Sequence, residues 1–164
     1  MNDTALRNRT GVRLFTASAV VGLLHALPSL YWAAGGSALI GTVGEWALEW
    51  RRDSPGQVLA VLLGVFAVKV CGALVPLVNH LHPLPGARLW RAIAWAGSGV
   101  LVLYGGANTL VAWLALAGWV GVAGDRDRTA LLGHAFLWDP LFALWGVLLG
   151  LALWHTRRTA VHEA

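Results

Sequence analysis

The chain reads as four long apolar runs separated by short polar punctuation. A helix that crosses a bilayer needs roughly 20 apolar residues at about 1.5 Å each. Such runs cover about 14–34, 58–78, 91–118 and 131–154. None shows the two-residue alternation of an outer-membrane barrel, and in lipid a segment must satisfy its own backbone polar groups. The pattern predicts an all-α membrane protein, a four transmembrane helix bundle forming one domain over residues 1–164.

Two stretches modify that plan. Between the first and second runs, Val43, Trp46, Ala47 and Trp50 recur at i, i+3, i+4 and i+7, with Glu45, Glu49 and Arg52 on the opposite face. That spacing predicts a short interfacial helix between helices 1 and 2, freed by Gly35-Gly36 and ended by Pro55-Gly56. The third run is too long. From Ile93 to Ala123 it would measure about 46 Å as a helix, against a hydrocarbon core of roughly 30 Å. It must tilt, break at Gly105-Gly106, or emerge as a cap near Gly118 to Gly124.

Composition narrows the class. The 164 residues are 57% hydrophobic and 12% charged, too few polar groups to coat a soluble globule and too apolar for disorder. Cys71 is the only cysteine, so no disulfide framework exists. The net charge of +4 comes from 11 Arg and one Lys set in small groups between apolar runs, a poor match to nucleic acid. Arg7, Arg9, Arg13, Arg88, Arg91, Arg157 and Arg158 flank the two termini and the middle loop. Arg51, Arg52, Arg126 and Arg128 flank the other two loops, beside Asp125 and Asp127. The excess of basic residues puts both termini in the cytoplasm. The first run exceeds the roughly 7–15 residues of a signal-peptide core and is expected to stay as an anchor. Trp32, Trp46, Trp50, Trp113 and Trp119 fall at the outer interface and Trp90, Trp95 and Trp154 at the inner one, where the ring meets lipid and its N–H meets water. Trp138 and Trp145 lie deeper.

Polar residues inside the runs mark candidate chemistry. Lys69 should lie about 16 Å below the outer face, Asp139 about 12 Å and His134 about 4–5 Å, with His25 near mid-bilayer. Asn108 and Tyr104 on the third run join them. These groups predict one polar cavity opening outward, with Lys69 and Asp139 as an ion pair. His134 either donates to a carboxylate or faces the headgroups. Pro28, Pro76 and Pro140 free the carbonyls of Leu24, Gly72 and Phe136. The residues expected to touch a ligand are His25, Tyr31, Trp32, Lys69, Tyr104, Asn108 and Trp138. Acid or base work would fall to Asp139, Glu45 and His134. Zinc-helix, P-loop, G-x-S-x-G and C-x-x-C motifs are missing, so neither a metal nor a cofactor is expected. A haem held by two histidines would need matched depths, and His25 and His134 differ by roughly 10 Å. His80, His82 and His155 are expected to be solvated at the inner interface, with His162 in the tail.

Three segments together resemble a known family. They are H-A-L-P-S-L-Y-W-A-A-G-G (His25 to Gly36), Y-G-G (Tyr104 to Gly106) and W-D-P-L-F-A-L-W-G (Trp138 to Gly146). They resemble the bacterial family catalogued as domain of unknown function 3995, over nearly the whole chain. Many members place a histidine three residues before the tryptophan of the first segment, where Ser29 stands here and the histidine is His25. The resemblance implies a four-helix protein of the bacterial inner (plasma) membrane and no activity.

Three functions compete. One is a non-catalytic module that binds a lipid or a partner in its polar pocket. Another is an isomerase or cyclase acting on a terpenoid, a quinone or another lipid-soluble substrate, with Trp32, Trp138 and Tyr31 stabilising a cation. The third is a small transporter, which at four helices would need a homo-oligomer. The expected partners are the bilayer, a lipid-soluble small molecule and a second copy of the chain.

Overall fold

The computed structural model describes residues 3–120 and 128–157. Among them the regular structure is all helical. Helix α1 spans Asp3–Ala33, α2 Glu45–Asp53, α3 Pro55–Leu81, α4 Ala87–Leu116, α5 Arg128–Gly133 and α6 Asp139–His155. A 3-10 turn at Ile40–Thr42 precedes α2, and a π-helical turn at His134–Trp138 joins α5 to α6. Four stretches are long and apolar enough to cross a membrane: Arg9–Ala33, Pro55–Leu81, Ala87–Leu116 and Arg128–His155. The protein is therefore a multi-pass helical membrane protein.

The two inner helices are made by seams of small and polar residues. Along α1, Gly11, Phe15, Ser18, Gly22, His25 and Ser29 are all buried, at alternating spacings of four and three. That repeat keeps one face of a helix turned to its neighbours. The first and last spans are 39% buried, against 11% and 17% for the second and third. Helix α1 packs on α3 and α6, and α4 packs on α6, whereas α3 and α4 meet sparingly. The bundle thus runs α3–α1–α6–α4, with a lateral cleft between its two outer members. Phe15, Ala94, Leu149, Ala152 and Leu153 fill the inner half of its core.

Helix α4 runs unbroken through Gly105-Gly106, so of the alternatives for the long third run the break is not taken. The reason is packing. A Cβ on Gly105 would sit 2.5 Å from the Ala143 nitrogen and 2.6 Å from the Asp139 carbonyl oxygen, so α6 lies directly against this backbone. Close approach through glycine is usual between membrane helices. The helix ends at Leu116, and Gly118 turns the chain with φ +75°. The cap expected out to Gly124 lies mostly outside the described residues, as do Asp125, Arg126, Asp127, Arg158 and His162.

Both ends of the bundle are tied by side chains that donate to backbone carbonyls at helix ends and in the turns between helices. At the inner end, Arg91 donates to the Leu153 carbonyl at 2.5 Å and to Thr156 Oγ1 at 3.0 Å. Asn79 closes the turn between α3 and α4 by donating to the Ala87 carbonyl and accepting from the Leu84 N–H, both at 3.1 Å. At the outer end, Arg51 of α2 donates to the carbonyls of Gly36 at 2.5 Å and Gly35 at 2.7 Å. The predicted interfacial helix exists. No residue of α2 is buried, and Trp46 is 57% exposed. Ser54 alone separates it from α3, which Pro55 opens at a first-turn position where its missing N–H costs nothing.

Candidate functional site

The deep polar residues form two groups rather than one. The first is centred on Lys69, halfway along α3. Its Nζ donates to Ser29 Oγ at 3.1 Å and to the His25 carbonyl at 3.4 Å. It also stands 5.9 Å from the centroid of the Phe142 ring. His25 and Ser29 are one turn apart on the buried seam of α1, so a single ammonium reaches both. The His25 ring is 4% exposed and lies 3.9 Å from Phe142 and 6.0 Å from Trp138, centroid to centroid. Neither of its nitrogens makes a hydrogen bond. Trp145 Nε1 is buried and unpartnered as well.

The second group is the pair His134 and Asp139. Nδ1 of His134 meets Oδ2 of Asp139 at 2.9 Å, with side chains 37% and 2% exposed respectively. In an α-helix, residues five apart point about 140° away from one another, at 100° per residue. The π turn bonds i to i+5 and brings them onto one face. That turn is braced from outside. Trp113 Nε1 donates to the Ala135 carbonyl at 2.9 Å and Trp138 Nε1 to Thr42 Oγ1 at 3.0 Å. The chain at Thr42 presses against Gly133, leaving no room for a Cβ there.

The expected ion pair between Lys69 and Asp139 is therefore not formed. Lys69 faces the seam of α1 because α3 packs on α1. Asp139 belongs to a stretch of α6 laid against Gly105 of α4, and its carboxylate is held by His134. No acidic side chain of the described residues lies within ion-pair distance of Lys69. His134, the other open question, pairs with the Asp139 carboxyl group while keeping over a third of its side chain exposed.

The remaining candidates scatter. Tyr104 is 55% exposed but presents its ring edge-on to Phe142 at 5.8 Å. Trp32 packs edge-on to Trp138 at 5.5 Å and donates to the Ala38 carbonyl at 2.8 Å. Tyr31 accepts the Ala38 N–H at 3.4 Å. Asn108 is half-buried on α4, one turn outward from Tyr104, and Glu45 is exposed at the start of α2. At the surface an apolar groove of about 250 Å³ is lined by Leu24, Leu27, Pro28, Tyr31, Trp32, Ala38 and Leu39. It lies on the side of α1 turned away from His25 and Ser29. His80 is not simply solvated: its ring stacks on Phe15 at 4.7 Å and its Nε2 is buried.

Phe142 is the residue that sequence reading passed over. His25 of α1, Lys69 of α3 and Tyr104 of α4 all meet its ring, so the four spans converge there. On α6 it is reached by Lys69 from α3 and by Tyr104 from α4, the two helices that meet sparingly. Its place in the W-D-P-L-F segment was the available signal.

The fold and this convergence define a multi-pass helical membrane protein with polar groups at mid-depth. The model of a family described as a protein of unknown function, DUF3995, matches residues 22–149, and the chain belongs to that family. The match spans both polar groups and Phe142. No curated protein and no solved structure matches the chain.

Proposed function

We propose that the protein is a binding module of the membrane interior. It takes a lipid-soluble molecule through the cleft between α3 and α4 and holds its polar head against Lys69 above the Phe142 ring. Lys69 carries this reading. A charged side chain deep in a span is costly and marks a site by default. Its described partners, a hydroxyl and a carbonyl, are both neutral, so they solvate the ammonium without cancelling its charge. The matching test is lipidomic mass spectrometry of the gently purified protein. A small molecule should travel with the wild type and be lost from Lys69→Met. An identical molecular complement in the two would refute it.

A second reading has its own observation. The His134–Asp139 pair leaves one imidazole nitrogen free of the carboxylate, the arrangement by which a carboxylate orients a histidine for general acid or base work. This would suit an isomerase or cyclase acting on a terpenoid or quinone near the outer interface. Asp139→Asn should then abolish turnover while the protein stays folded. Retained turnover would remove the pair from the chemistry. We also place the chain in a bacterial inner membrane with both termini cytoplasmic, on its arginine distribution, and allow a homo-oligomer formed through the exposed α3 and α4 faces.

A further inference from the structure

We infer that the ligand at Lys69 is a single-chain lipid ending in a carboxylate, such as a free fatty acid. This rests on the binding reading above and narrows it to one chemistry. Charge comes first. In a medium of low dielectric the ammonium needs an opposite charge nearby, and Asp139 is occupied by His134. A neutral quinone carbonyl would accept a hydrogen bond and leave the charge standing. A phosphate head carries up to two charges and is usually met by several cations, whereas Lys69 is the one cationic side chain at this depth among the described residues. A carboxylate matches it one to one.

Hydrogen-bond inventory points the same way. An ionised carboxylate is acceptor-only, with about four lone-pair sites. Around Lys69 the chain offers unused donors. Ser29 Oγ accepts from Lys69, and its own O–H is given to no described acceptor. The imidazole of His25, 96% buried by its 4% exposure, has neither nitrogen hydrogen-bonded. A buried polar atom without a partner costs about 1–3 kcal/mol, so such atoms in a native core call for one.

Access suits a single chain. Tyr104 beside Phe142 is 55% exposed, and Lys69 itself is only half-buried, so the space between α3 and α4 is open from the side. A lipid with one tail can lie along the Phe142 ring with its tail in the bilayer.

The test uses the full chain in detergent with cis-parinaric acid, whose emission is sensitised by nearby tryptophans. Oleic acid, methyl oleate, dodecyl phosphate and a short-chain ubiquinone compete for it. Oleic acid should displace the probe at least about tenfold better than each of the others, a difference of about 1.4 kcal/mol. Lys69→Met should lose about tenfold or more in affinity, with Lys69→Arg intermediate. If Lys69→Met fails to fold, the wild-type competition and Ser29→Ala, expected a few-fold weaker, decide. If methyl oleate or the quinone competes as well as the acid, binding stands and the carboxylate assignment falls. Stronger competition by dodecyl phosphate overturns it too. Probe binding that neither saturates nor depends on Lys69 and Ser29 overturns this inference, whereas the binding reading falls only if, in addition, wild type and Lys69→Met copurify with the same molecules.

Discussion

Gly105 and Gly106 are neighbours with opposite duties. Gly105 is where the α6 backbone touches α4, and a Cβ there would also come within 2.9 Å of Phe142 Cβ. Gly106 has nothing within 4 Å of its own notional Cβ. Gly105→Ala should therefore push α4 off α6, at a cost of about 1–3 kcal/mol typical of overpacking. Gly106→Ala should be neutral or stabilise by up to about 1 kcal/mol, because Gly is the poorer helix former. Reversible unfolding in mixed detergent would separate the two. Equal effects would show that α4 and α6 do not approach as described. Adjacent glycines in the chain could suggest a weak point in the helix, but not which of them faces a partner. That depends on the rotation of α4, which its apolar residues on every side leave unspecified.

At the level of elements, the spans and α2 were legible because each follows a rule acting along the chain: about 20 apolar residues for a span, 3.6-residue spacing for the interfacial helix. The site was legible only in part. Its residue types were visible, since ionisable groups stand out in lipid-facing runs. Their pairing was not, because His134 meets Asp139 through a π turn and Lys69 turns to α1 rather than α6. A π turn amounts to one extra residue in an α-helix, and no periodicity within five residues announces it. Deleting Leu137 should remove that residue and restore α geometry. Asp139 would then fall four positions from His134, and because the α turn sweeps nearly the same angle as the π turn it replaces, the residues after it should keep their register against α5. The pairing of His134 with Asp139 and the protection of residues 35–54 from hydrogen exchange should both survive. A rise in exchange there would mean that the extra residue itself positions the outer loop. Arg51→Ala offers an independent check. It removes the donors to Gly35 and Gly36 and should raise exchange in the same segment without disturbing α6.

For the whole molecule, the polarity of the site depends on how the bundle sits in the membrane. The inner end gathers Arg91, Thr156 and the turn at Asn79, and the outer end gathers Thr42, Gly133 and Arg51. The two ends are thus on opposite sides whichever way the protein is inserted. Insertion itself is set by basic residues, which retain a flanking loop in the cytoplasm. The bias of seven against four is moderate, so the orientation is worth measuring directly. In a Cys71→Ala background, Ser37→Cys and His82→Cys place single thiols at exposed positions of the two ends. A membrane-impermeant maleimide should label Ser37→Cys in intact spheroplasts and His82→Cys only after the membrane is opened. The reverse pattern would put the His134–Asp139 pair on the cytoplasmic side. Any acid or base work there would then draw its protons from the cytoplasm. Lys69 lies near the middle of its span in either orientation, so a ligand entering sideways through the α3–α4 cleft would reach it from the bilayer in both. Binding at Lys69 should therefore be indifferent to orientation, whereas chemistry at His134 should respond to the pH of one compartment alone. Turnover assayed in sealed vesicles with the two sides buffered separately would tell which.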